Sequence, residues 1–136
     1  MTGPATSFTM PLRVRYAECD MQDRAFNAHY LTWVDMALTD ALTELFGGYR
    51  ALIDAGLDLV VADARLQYRA PARFDDRLEV HTVLSPPGNT SLQSAFTITR
   101  DGQLLAECAM THVCVDTATY RKLPWPDWLR AKLPQP

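Results

Sequence analysis

The chain has 136 residues, a hydrophobic fraction of 48% and a formal net charge of −3, which predicts one domain over residues 1–136. No Lys/Arg run stands out, so the composition argues against a nucleic acid partner. No apolar run approaches the roughly 18 residues that a membrane span needs, so we expect no membrane segment.

The cysteines and the first residues bear on the compartment. The three cysteines are odd in number and form no CxxC pair, as is typical of reduced thiols in a cytoplasmic protein. The stretch Met1 to Ser7 lacks the charged start and apolar core of a signal peptide. We therefore expect a cytoplasmic protein.

The first predicted element is a strand over residues 8–16. Its apolar residues alternate with Thr, Pro and Arg, and this period of two indicates a half-buried strand. Pro11 cannot donate a ladder hydrogen bond, so the strand is expected at a sheet edge.

A long helix is predicted from Tyr30 to Phe46. Apolar residues recur there at i, i+3, i+4 and i+7, which is the pattern of an amphipathic helix with a wide buried stripe. Gly47 and Gly48 end it. Residues 49–55 predict one further helical turn, stopped by Gly56.

Everything after Gly56 predicts mainly strands, over residues 63–69, 77–84, 92–98 and 104–115. Pro71 to Asp76, the SPPGN stretch 85–89 and Asp101-Gly102 are turn signals between them, and residues 124–133 allow a short helix with Pro126 at its start. One helix cannot cover both faces of a five-stranded sheet. We therefore expect an α+β domain that assembles into a homodimer or homotetramer.

This order of elements resembles the hotdog fold, a five-stranded antiparallel sheet wrapped around one long central helix. The stretch VRYAECDMQDRAFNAHYLTWVDMA, residues 14–37, is similar to the signature of the 4-hydroxybenzoyl-CoA thioesterase family of acyl-CoA thioesterases. The matching positions are Tyr16, Glu18, Asp20, Tyr30, Trp33 and Asp35. A second stretch, LQYRAPARFDDRLEVHT at 66–82, matches the family's strand aromatic, Pro-containing turn and Asp. The resemblance covers roughly residues 8 to 120.

The resemblance implies hydrolysis of an acyl-CoA or acyl-carrier-protein thioester, without a cofactor, with Asp20 as nucleophile or general base. The oxyanion that forms needs hydrogen-bond donors. The first N–H groups of a helix lack partners within it and favour negative charge. We therefore expect the donor among the backbone N–H groups of Asn27, Ala28 and His29, and the family match points to Asn27 first.

Because the sequence departs from the family pattern at two places, we also consider other functions. Asp23 stands where the family usually has Gly, and the PPGNTS turn at 86–91 lacks the basic residue that often contacts coenzyme A phosphates. A non-catalytic acyl-thioester-binding protein is therefore the main alternative. A hotdog hydratase or dehydratase is less favoured, because its Asp and His lie five residues apart in a Gly- and Pro-containing loop. Here Asp23 and His29 lie six apart, with neither residue between them.

The other reactive side chains of residues 17–30 are expected to be bystanders. Glu18, Asp20 and Asp23 lack the spacing and Gly of a calcium loop, and no second His/Cys cluster is spaced for zinc, so no metal site is predicted. On an alternating strand, Cys19 points away from Glu18 and Asp20, which argues against thiol catalysis. The residues that share one face of the last strand are expected in the core: Cys108, Met110, His112 and Cys114.

Overall fold

The computed structural model describes residues 6–136. The elements follow in chain order as β1 (Ser7–Arg13), a 3₁₀ turn (Tyr16–Glu18), α1 (His29–Phe46), α2 (Tyr49–Asp54), β2 (Leu57–Tyr68), β3 (Arg77–Leu84), β4 (Ser91–Arg100), β5 (Gln103–Asp116) and α3 (Asp127–Arg130). The strands form one antiparallel sheet in the order β1-β3-β4-β5-β2, and α1 packs against β1 and β3. The predicted α+β architecture is confirmed.

The long helix α1 matches its predicted bounds within one residue. Its buried face carries the predicted stripe: Tyr30, Trp33, Val34, Ala37, Leu38, Ala41, Leu42 and Phe46. The helix ends because Gly47 adopts a φ of +89° and donates its N–H to the Thr43 carbonyl at 2.8 Å. That left-handed conformation costs glycine little.

The first strand ends earlier than the predicted residue 16. β1 pairs with β3 only over Ser7–Arg13. The Val14 N–H then donates to the Asp76 carbonyl at 2.9 Å, in the loop before β3. The next backbone N–H donates to the carboxylate of Glu18 at 2.8 Å. These partners turn the backbone out of the strand, so the expectation of strand alternation over residues 14–19 is wrong.

The two edges of the sheet differ in length and composition. β1 is a seven-residue edge strand that contains Pro11, which confirms the predicted edge position. β2 forms the opposite edge with twelve residues, none of them Pro, and begins at Leu57 rather than at the predicted residue 63. A bulge between Val61 and Asp63 interrupts its ladder with β5.

The remaining predicted elements are present. β3 and β4 alternate between buried and more exposed residues, and the predicted core face of β5 is buried. Asp101 and Gly102 take φ values of +50° and +81° in the hairpin between β4 and β5. Pro126 is the residue directly before α3. None of the helices described over residues 6–136 is long and apolar enough to cross a membrane.

One hydrogen bond ties the 3₁₀ turn to the buried face of α1. The Trp33 side chain is 0% exposed, and its indole Nε1–H donates to Glu18 Oε2 at 2.7 Å. Glu18 Oε1 accepts the N–H of Arg15 at 2.8 Å. Glu18 therefore uses both carboxylate oxygens to fix the chain that follows β1.

Glu18→Leu is expected to lower the free energy of unfolding by about 1–3 kcal/mol, because it leaves the buried indole N–H without an acceptor. Urea denaturation measures the change. Glu44→Leu, on the exposed face of α1, is the matched control. Equal unfolding free energies for the two variants would contradict this role of Glu18.

A buried histidine lies beneath the middle of α1. His112 is 3% exposed, and its Nδ1 has no hydrogen-bond partner among the described residues. Burial lowers the pKa of His112, and the nearby carboxylate of Asp35 offsets part of that shift. Protonation is thus less favourable in the folded protein than in the unfolded chain.

Stability is therefore expected to fall as the pH drops below about 6.5, the ordinary pKa of histidine, because the unfolded chain then binds the proton that folded His112 resists. Urea denaturation at pH 5.5 and pH 7.5 tests this. The stability difference between the two pH values should be smaller in His112→Gln than in the wild type. His81→Gln controls for replacing a histidine in the sheet, and an unchanged difference in His112→Gln would refute the expectation.

Candidate active site

The predicted catalytic segment folds into a small hairpin between the 3₁₀ turn and α1. Cys19 and Ala25 form an isolated antiparallel bridge. At the tip, the Asp20 N–H donates to the Arg24 carbonyl at 2.9 Å, and the Asp23 N–H donates to the Asp20 carbonyl at 3.1 Å. These bonds define a three-residue hairpin loop over residues 21–23.

Asp23 occupies the left-handed position of this loop. Its φ is +60°, in the region that glycine enters most readily and that Asp and Asn enter more often than other residues. The Arg73 guanidinium donates to the Asp23 carbonyl at 3.1 Å and braces the tip. Replacing the family's usual Gly by Asp has therefore not removed the turn.

Asp20 is half-buried and lies directly before the three-residue loop of the hairpin. Its Oδ1 accepts the backbone N–H of Gln22 at 2.8 Å, which fixes the direction of the side chain. Among the described residues, no donor bonds to its second carboxylate oxygen, Oδ2. The Asp20 side chain is therefore fixed through Oδ1, while Oδ2 is available to interact with another molecule.

The neighbours of Asp20 are occupied or unreactive. The two carboxylate oxygens of Glu18 accept hydrogen bonds from the Arg15 backbone N–H and the Trp33 indole N–H. Neither oxygen is therefore free for catalysis. Partial burial and the carboxylates of Asp23, Glu18 and Asp20 raise the pKa of the Cys19 thiol. A thiol with a raised pKa is a poor nucleophile at neutral pH.

The start of α1 lies beside the hairpin. The Phe26 N–H donates to the Glu18 carbonyl at 2.8 Å, so Asn27 directly follows a residue pinned to the hairpin. Ala28 is the N-cap and offers no side-chain acceptor, and no acidic residue occupies the first turn. The helix start therefore lacks the side-chain capping that usually satisfies such N–H groups.

The three predicted donor groups differ in availability. The His29 N–H donates to the Phe26 carbonyl at 3.0 Å, so it is engaged within the protein. The N–H groups of Asn27 and Ala28 make no hydrogen bond to any residue of the described part of the chain. Asn27 and Ala28 thus remain the candidate donors, and the His29 ring packs edge-on against Phe26 at 6.0 Å.

Two tyrosines that the sequence reasoning did not assign to the site brace this helix start. Tyr30 is buried, and its hydroxyl accepts the Ala72 N–H at 3.0 Å. Tyr68, at the end of β2, donates its hydroxyl to the Asn27 carbonyl at 2.8 Å. The sequence places Tyr68 on a strand, but its contact with Asn27 could not be predicted from local pattern, since the two residues lie 41 positions apart.

A cleft of about 320 Å³ opens between the helix start and the end of β2, within the size range of small-molecule sites. Asn27, Tyr30, Tyr68 and Gln22 line it. Asp20 does not line the cleft, but its carboxylate accepts the backbone N–H of Gln22, which does. A groove of about 480 Å³ at the β1–β3 edge is larger, but none of the predicted site residues lines it.

The site contains no constellation of metal ligands. Across residues 6–136, no three His, Cys, Asp or Glu side chains lie close enough together to hold an ion. All three cysteines are free thiols. What the arrangement offers is a carboxylate and unpartnered backbone N–H groups at a helix start.

Comparison with known proteins places this chain in a family. Residues 14–133 match the model of the thioesterase-like superfamily. The acyl-CoA thioester hydrolase YbgC of Escherichia coli O6:H1 is 31% identical over 96% of this chain and 98% of its own. The long-chain acyl-CoA thioesterase FadM of Escherichia coli K12 is 29% identical over 91% of this chain and 95% of its own.

Structural similarity agrees with the sequence match. The crystal structure of a 4-hydroxybenzoyl-CoA thioesterase variant with 4-hydroxybenzoyl-CoA superposes with a TM-score of 0.87, at 17% identity, over 96% of this chain and all of the other. At that identity the likeness concerns the fold. The chain therefore has the hotdog fold and belongs to the thioesterase-like superfamily.

Proposed function

We propose that this protein hydrolyses acyl-CoA thioesters to a carboxylic acid and a free thiol, with Asp20 as its catalytic carboxylate. One observation carries the proposal. Asp20 keeps a carboxylate oxygen free in a hairpin that is hydrogen-bonded to the residue before α1's first turn, where two N–H groups have no partner among residues 6–136. The activities named for YbgC and FadM support the same reaction class.

The chemistry follows from these two groups. The thioester carbonyl accepts the free N–H of Asn27 or Ala28, and the positive end of the α1 dipole adds to the stabilisation of the oxyanion. Asp20 either removes a proton from the attacking water or attacks the carbonyl itself. In the second case an anhydride forms, the thiolate leaves, and water then hydrolyses the anhydride. Both routes release the acid and the thiol.

The geometry of Asp23 favours an enzyme over a protein that only binds thioesters. The binding alternative depends on the loss of the family's Gly from the catalytic loop. Asp23 takes the left-handed conformation itself, and the hairpin hydrogen bonds around Asp20 are in place. The loop that presents the carboxylate is thus intact.

Asp20→Asn is expected to reduce kcat by about 10²–10⁴, the usual contribution of a positioned acid or base, because an amide neither accepts the proton nor attacks. The assay follows thiol release from long-chain, short-chain and aromatic acyl-CoA and from the same acyl groups on a carrier protein. This panel also identifies the acyl group and the carrier.

Asp23→Asn is the matched control, since it makes the same change three residues away and Asn tolerates a φ of +60°. Its kcat should stay within a few-fold of the wild type. Hydrolysis by Asp20→Asn at the wild-type rate would rule out the assigned role. A wild type that binds every thioester and cleaves none would instead favour the binding protein.

We also propose a single domain that forms a cytoplasmic homodimer, or a homotetramer built from it, through the edge of β2. β2 is the longer edge, lacks Pro and carries a run of exposed residues, and such an edge is a template for pairing with another chain. A cleft of about 350 Å³ between β2 and α1 is lined by Leu59, Val61, Tyr49 and Asp35. The free thiols favour a reducing compartment.

Val61→Lys is expected to shift the protein from dimer to monomer, because it places an unpaired charge on the paired edge. Light scattering after size-exclusion chromatography measures the mass. Val83→Lys is the control: Val83 is 49% exposed against 52% for Val61, but it lies on β3, which is paired on both sides. If Val83→Lys dissociated the dimer and Val61→Lys did not, the interface would lie on the outer face of the sheet rather than at the edge of β2.

A further inference from the structure

Among the described residues, Tyr68 makes the only side-chain hydrogen bond to the backbone of Asn27 and Ala28. Its hydroxyl donates to the Asn27 carbonyl at 2.8 Å, and its ring meets Tyr30 edge-on with centroids 5.1 Å apart. Tyr30 is itself fixed by its hydrogen bond from the Ala72 N–H. Partial burial, with Tyr30 close by, raises the pKa of the Tyr68 hydroxyl, which therefore remains a donor.

The Asn27 carbonyl and the Ala28 N–H belong to the same planar peptide group. A donor on the carbonyl oxygen fixes the plane of that group and polarises it, which strengthens its N–H as a donor. The Tyr30 N–H also approaches this carbonyl, at a longer 3.3 Å. Tyr68 therefore supplies the shorter of its two bonds.

The peptide group on the other side of Asn27 is held as well. Its carbonyl, on Phe26, accepts the His29 N–H at 3.0 Å. Asn27 is thus fixed on both flanks, while the N–H groups of Asn27 and Ala28 stay without partners among the described residues. A side chain from the end of β2 completes this arrangement from outside the helix.

We propose that Tyr68 is a positioning residue that holds the Asn27–Ala28 peptide group in the orientation needed to stabilise the oxyanion. This inference rests on the proposed thioester hydrolysis. Tyr68 acts through the backbone and does not touch the reacting atoms. Its hydroxyl affects the transition state, in which the oxyanion carries charge, more than it affects binding of the uncharged thioester.

Tyr68→Phe tests the proposal, because it keeps the ring against Tyr30 and removes only the hydroxyl. We expect kcat to fall about tenfold, the effect of losing one hydrogen bond in the transition state, with KM within about twofold of the wild type. The affinity for a non-hydrolysable thioether analogue of the substrate should not change. The amide resonance of Ala28 should shift in a ¹H–¹⁵N spectrum.

Tyr120→Phe is the control, since Tyr120 is 65% exposed and its hydroxyl bonds to nothing in the described chain. A Tyr68→Phe variant with unchanged kcat, or with a lower melting temperature as its only effect, would overturn the proposal. If the wild type cleaves thioesters and Asp20→Asn does not, an unchanged kcat in Tyr68→Phe refutes only the role of Tyr68. An inactive wild type would mean that the proposed function has failed first.

Discussion

The placement of the whole site depends on the hydrogen bond between the Trp33 indole and the Glu18 carboxylate. Trp33 lies on the second turn of α1, in the buried stripe that packs against the sheet. Glu18 ends the 3₁₀ turn after β1. A charged acceptor inside an apolar contact is costly without a partner, so the turn and the helix are held in one relative position. The hairpin with Asp20 begins at the next residue.

The fixed position of the 3₁₀ turn beside α1 brings together polar groups that make no hydrogen bond within the described part of the chain. Both oxygens of Glu18 and both backbone groups of Asp23 are paired within the protein. Among the described residues, Oδ2 of Asp20 and the N–H groups of Asn27 and Ala28, at the uncapped helix start, make no hydrogen bond within the protein. Asn27 and Ala28 are exposed and Asp20 is half-buried, so these groups are open to a ligand from outside the chain. Around them, Tyr68 bonds to the Asn27 carbonyl, Arg73 bonds to the Asp23 carbonyl, and the Gln22 N–H bonds to Oδ1 of Asp20.

Much of the fold follows from local patterns in the sequence. The stripe from Tyr30 to Phe46 and the glycine after it determine α1, because burial of one helix face and a left-handed C-terminus are local requirements. The early end of β1 was not predictable in this way. It depends on the pairing of Val14 with Asp76, a contact formed only when the sheet has assembled. The length of β2 was missed for a similar reason, since an exposed edge strand shows little alternation in burial.

The features of the candidate site also differ in whether the sequence could predict them. The family resemblance singled out Asp20, and the general lack of partners at a helix start pointed to the N–H groups of Asn27 and Ala28. The engagement of the His29 N–H and the contact from Tyr68 could not be predicted, since each depends on backbone geometry or on a residue distant in sequence. The resemblance to a known family marked an aromatic at residue 68 without indicating what its hydroxyl contacts.

The carboxylates around Cys19 also affect how this hairpin withstands oxidants. Peroxides attack the thiolate form of cysteine, and sulfenic acid formation follows the fraction of thiolate present. Partial burial together with Asp23, Glu18 and Asp20 keeps the Cys19 proton in place. The acids of the hairpin therefore lower the fraction of Cys19 thiolate, and with it the rate at which peroxide attacks the residue next to Asp20.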